Sequence, residues 1–139
     1  MHIHQWLVIR APIHETFYDI LVSTAGCGAF DGGCLVVARA LQRVIGGKLV
    51  VLTRADDTAD HAAIEIDGKL WDYDGPLTPR HFINRFNRTE MRHTPFSCIG
   101  YRDIRDGDLP NAVRDDALET KLAAVFATAL SHGPNRPAI

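Results

Sequence analysis

The strongest periodic signal in the chain is the run CLVVARALQRVI, residues 34–45, which is apolar at 34–38, 40, 41, 44 and 45 and polar only at Arg39, Gln42 and Arg43. A pattern with so narrow a polar stripe predicts a mostly buried helix, and Gly46-Gly47 stops it. Before it, Pro12 opens a segment with apolar positions at Phe17, Ile20, Leu21 and Ala25, which predicts a short helix over 12–25. Between the two lie four glycines in the eight positions 26–33, too costly for a helix, so this stretch reads as a loop.

After Gly47 the period changes. Lys48–Thr53 (KLVVLT), His61–Ile66 (HAAIEI) and Lys69–Tyr73 are short β-prone runs, the first pair separated by a polar turn and the second by Asp67-Gly68. They predict an antiparallel meander. Pro76 and Pro79 frame a loop, Arg80–Asn87 form a helical turn, and Phe96–Ile104 supply one further strand of poor alternation. From Asn111 to about Ser131, Leu118, Leu122, Val125 and Ala129 recur at helical spacing with Val113, Ala117 and Phe126 on the same buried side. Helices and strands are thus segregated along the chain, which predicts an α+β fold with an antiparallel sheet, in one domain spanning 1–139.

Composition narrows the functional classes. With 139 residues, 46% hydrophobic and 23% charged, the chain can bury a real core without staples. Its formal net charge of -2 gives no footprint for nucleic acid or an anionic membrane, and neither is expected as a partner. Three cysteines, Cys27, Cys34 and Cys98, leave at least one thiol unpaired, which favours a reducing compartment. No stretch of 18 apolar residues occurs, and Met1–Gln5 lack the marks of a secretory signal, so a soluble cytoplasmic protein is expected.

The chemistry-bearing feature is Asp31-Gly32-Gly33-Cys34. A thiol at a helix start sits beside unsatisfied N–H groups and the positive end of the dipole, which stabilise thiolate. The same N–H groups, that of Cys34 included, are suited to hold the oxyanion of a tetrahedral intermediate. A nucleophilic thiol needs a base, and the base an orienting partner. His61 opens a strand, and pairing across Asp67-Gly68 sets residue 64 opposite 71 and residue 61 near 74, with residue 72 one diagonal step away. Asp72 and Asp74 share a face, and either is within reach of His61.

The stretch FDGGCLVVARAL, followed by HAAIEIDGKLWDYDGP, resembles the core of papain-like and transglutaminase-like proteins, and in particular short phage and bacterial members that pair a Gly-Gly-Cys helix start with a His and an Asp on successive strands. The resemblance covers about residues 29–76. It implies a Cys34–His61–Asp triad on a helix packed against an antiparallel sheet. Leu70-Trp71-Asp72 is similar to the short phage-type pattern and puts Asp72 first; the wider transglutaminase-like spacing lands on Asp74. The upstream glutamine that papain-like enzymes use for the oxyanion hole has no counterpart, since position 28 is Gly and the only upstream glutamine is Gln5, so the second oxyanion donor is unassigned.

These residues predict a thiol hydrolase or acyltransferase acting on a peptide or amide substrate, with no metal or organic cofactor required. The alternative is a binding or inhibitory module that keeps the core without the chemistry. Cys27, between two glycines and away from a helix dipole, reads as structural, and Cys98 as a core strand residue. A zinc site of Cys27, Cys34 and His61 lacks a common ligand spacing, because the cysteines are seven apart. Arg80, Arg85 and Arg88 read as a solvated helix face rather than a cleft rim.

Overall fold

The computed structural model of the chain describes residues 19, 20, 23, 32–72 and 74–131. In chain order these contain α1 (Cys34–Ile45), β1 (Lys48–Arg54), β2 (Ala59–Ile66), β3 (Lys69–Asp72), β4 (Gly75–Leu77), α2 (Pro79–Thr89), β5 (Cys98–Asp103) and α3 (Asp116–Ser131). The strands form one antiparallel sheet in the order β4-β3-β2-β1-β5, and the fold is α+β. The helix expected over 12–25 and the glycine loop from 26 to 31 lie outside the described residues, apart from Asp19, Ile20 and Ser23, which are helical.

Alternation along β1 sorts the core into two layers. Val51 faces α1 in a cluster with Ala62, Ile64 and Trp71, while Val50 and Leu52 face α2 with Ala63, Leu70, Phe82, Ile83 and Phe86. Helix α1 is sandwiched between the sheet and α3, whose Leu118, Leu122 and Phe126 join the first cluster. That double burial is why its sequence is apolar almost all round. Each large side chain buried this way contributes about 1.5–3 kcal/mol.

Two connections set the register that the site depends on. Asp67 and Gly68 both take positive φ, 50° and 76°, and join β2 to β3 with Ile66 opposite Lys69 and Ile64 opposite Trp71, the pairing the sequence predicts. Between α1 and β1, Gly47 at φ 91° passes so close to β2 that a Cβ there would fall 2.4 Å from Ile66 Cγ1 and 2.8 Å from the Glu65 carbonyl oxygen. Only glycine allows that approach.

Four expectations are corrected. The segment framed by Pro76 and Pro79 is not a loop: Gly75–Leu77 form β4, which pairs Trp71 with Pro76 at the edge of the sheet, where a proline's missing N–H is tolerated. The helical turn is the eleven-residue α2, with Pro79 in its first turn. The tail helix starts at Asp116 rather than Asn111, because Asp115 caps it, its Oδ1 accepting from the Leu118 N–H, and the Val113 N–H is drawn off to the Gly32 carbonyl. Ala117 is exposed, and Glu119 takes a buried position instead, held by Arg39 at 2.7 Å and by Arg43, both on α1.

Candidate active site

Helix α1 begins at Cys34, with Gly33 before it and Gly32 at φ 90°, a conformation that favours glycine. The first helical hydrogen bond runs from the Val37 N–H to the Gly33 carbonyl, so the N–H groups of Cys34, Leu35 and Val36 precede the ladder. Cys34 is 7% exposed. Its helix packs on the α1 face of the sheet, whereas His61 belongs to the α2 face and stacks on Phe86 with ring centroids 4.7 Å apart.

Residues on opposite faces of a sheet do not ordinarily touch. Among the described residues, the β2–β3 register runs from Ile66 opposite Lys69 to Ile64 opposite Trp71, and His61 and Asp72 lie just past it. The Cys34 thiol and the His61 imidazole nonetheless interact, and the Ala62 backbone also favours the thiolate. The other side of the imidazole meets β3: Nε2 lies 2.7 Å from Asp72 Oδ2, with both side chains almost wholly buried. With Nε2 committed to the carboxylate, Nδ1 is the ring nitrogen left for the thiol.

Burial is the largest influence on each group and opposes charge on both. For Cys34 it raises the pKa, yet the His61 hydrogen bond and charge, with the Ala62 N–H, outweigh it and hold the thiol below its ordinary value. For His61 burial lowers the pKa, yet the hydrogen bonds and charges of Asp72 and Cys34 push it up to about 9. A lowered thiol beside a raised imidazole is the electrostatic signature of a thiolate–imidazolium pair.

Of the two candidate aspartates, Asp72 bonds to His61. Asp74 enters the site through its backbone, its N–H donating to Asp72 Oδ1 at 2.7 Å and its carbonyl accepting from Arg85 Nη1 at 3.0 Å. Arg85 corrects the expectation of a solvated face. Arg80 and Arg88 are exposed, but Arg85 is half-buried and donates from Nη2 to Asp72 Oδ1 at 3.2 Å and to the Gly75 carbonyl at 2.7 Å. The sequence did carry a signal for it: Arg85 stands three residues after Phe82 and one before Phe86, on the margin of the apolar stripe of α2.

A second polar cluster adjoins the wall behind His61. Asp60 accepts both a bidentate pair from Arg54, at 2.6 and 2.9 Å, and Arg92 Nη1 at 2.7 Å, while Arg92 lies over the Phe86 ring. Cys98, buried in β5 as expected, faces the same carboxylate; burial first and Asp60 second push its thiol up to about 12. Cys27 lies outside the described residues, and with it the zinc alternative. Among the described residues no group of three His, Cys, Asp or Glu is placed to hold a metal ion, and no helix is long and apolar enough to cross a membrane.

No family model, curated protein or solved structure matches this chain.

Proposed function

We propose that the protein is a thiol hydrolase or acyltransferase that acts on a peptide or amide through Cys34, His61 and Asp72. The observation that carries this reading is the buried 2.7 Å contact of His61 Nε2 with Asp72, on a ring that also interacts with the Cys34 thiol. The order of a helix-start cysteine, a histidine on β2 and an aspartate on β3 also agrees with the papain-like or transglutaminase-like core that the sequence resembles.

In this mechanism the Cys34 thiolate attacks the acyl carbon and the carbonyl π electrons move onto oxygen. The N–H groups at the start of α1 are suited to stabilise that oxyanion. As the tetrahedral intermediate collapses, the imidazolium gives its proton to the departing amine and a thioester forms on Cys34. Neutral His61 then takes a proton from water or an acceptor amine as it attacks the thioester, and the thiolate leaves. Asp72 holds the ring orientation and stabilises the imidazolium without itself taking the proton.

The 7% exposure of Cys34 favours a second reading, a binding or inhibitory module that keeps the constellation without turnover. Incubation with p-nitrophenyl acetate separates the two. An acyl adduct mapped to Cys34, absent from a folded Cys34→Ala variant, supports the enzyme. Turnover retained in that variant contradicts the assignment, and a wild-type protein that never acylates supports the binding module.

A further inference from the structure

We propose that Arg85 is a positioning residue of this site, fixing the Asp72 carboxylate so that Oδ2 faces His61; this rests on the reading of Cys34, His61 and Asp72 as a reactive constellation. A carboxylate on a short side chain can turn about its last bond, and away from one orientation and its 180° equivalent neither oxygen meets the imidazole. Here Oδ1 is held by two donors, Arg85 Nη2 at 3.2 Å and the Asp74 N–H at 2.7 Å, which leaves Oδ2 aimed at Nε2. Arg85 in turn cannot drift. Its guanidinium is tied to the Asp74 and Gly75 carbonyls at 3.0 and 2.7 Å and lies over the Phe82 ring, 5.1 Å from its centroid.

The planar fork matters here, because one group reaches a carboxylate and two carbonyls at once, which a lysine ammonium matches poorly. The same helix that supplies Arg85 supplies Phe82 and Phe86 against the imidazole, so α2 sets both the ring and its partner. Among the described residues, the charged or titratable groups around Asp72 include His61 on β2, Cys34 on α1, Asp74 beside β3 and Arg85 on α2, with Arg92 and Asp60 behind Phe86. Arg85 brings a positive charge to this set. Removing it frees the carboxylate and disfavours the thiolate.

The test is the pH profile of Cys34 alkylation by iodoacetamide in the wild type, Arg85→Ala, Arg85→Gln and Arg85→Lys. Arg85→Ala is expected to slow labelling at mildly acidic pH by about tenfold and to move the midpoint upward, the effect of one pK unit. Free guanidinium at a sub-denaturing concentration restores part of the rate, and Arg85→Lys falls between. Arg102→Ala, which removes a remote ion pair with Asp57 and Asp108, leaves the midpoint unchanged. A purely structural Arg85 would lower Tm without moving the midpoint. If Arg85→Ala does not fold, Arg85→Gln, which is uncharged and lacks the fork that spans Asp72 and the two carbonyls, is expected to show the same upward shift. An activated wild-type Cys34 with unchanged profiles in the Arg85 variants overturns this proposal alone. An unactivated wild-type thiol overturns the underlying reading with it.

Discussion

His61 Nε2 and Asp72 Oδ2 stand 2.7 Å apart in the interior, on the neighbouring strands β2 and β3. A histidine and an aspartate buried together in this way are costly unless each satisfies the other, and the remaining lone pairs of Asp72 are met by Arg85 and the Asp74 N–H. The pair is thus fixed from both strands and from α2.

Replacing Asp72 with Asn keeps the volume but can offer an amide N–H where the ring needs an acceptor. Acylation of Cys34 is expected to fall by up to roughly 10⁴-fold, the drop when the aspartate of a serine triad becomes an amide. Burst kinetics with p-nitrophenyl acetate measure it. An Asp72→Asn enzyme of wild-type rate would remove the aspartate from the mechanism.

The imidazole should stay protonated well above the usual histidine range. NMR of ring-labelled protein is expected to place the His61 transition at about 9 and to find it lower in Cys34→Ser, where the thiolate partner is gone. The sign for stability follows in Cys34→Ala, in which no thiol titrates against the ring. A pKa raised from 6.5 means that the His61 contribution is full below 6.5 and is lost as pH rises through the folded value. Denaturation midpoints of that variant should fall between 6.5 and its own, lower His61 value, and a flat profile would mean that Asp72 alone does not raise the ring.

Glu119 is the one acid of α3 whose side chain is buried, and it ties that helix to Arg39 and Arg43 of α1. The two arginines are nearly half exposed, so solvent screens much of the attraction. Glu119→Gln is expected to cost about 1–2 kcal/mol in urea denaturation, whereas Ala117→Gln, on the exposed side, should stay within about 0.5 kcal/mol. Equal effects would mean that α3 does not dock through this pair.

Much of this was legible in the chain, and what was not has physical causes. The bounds of α1 follow from its apolar run and the glycines on either side, and the β2–β3 register from Asp67-Gly68. The meeting of Cys34 with His61 is different in kind. Period-two alternation puts His61 on the α2 face while the Cys34 helix packs on the other, and that the two groups still interact is a tertiary feature. Strand β4 was hidden because Pro76 reads as a breaker unless it is known to lie at an edge. Glu119 was hidden because a charged residue in an amphipathic helix is assigned to solvent until its partners on another helix are seen. Arg85 sat one residue from the apolar stripe, where charge alone suggested water.

The most direct test is the pH dependence of iodoacetamide labelling, mapped by mass, in the native wild type and in His61→Ala. Cys98, buried and pushed up to about 12, is an internal thiol that should stay unlabelled while the protein is folded. Selective labelling of Cys34 at mildly acidic pH, lost in His61→Ala, is the predicted result and defines an activated thiolate. Labelling of Cys34 that is slow at that pH and indifferent to His61 would contradict the assignment of the site.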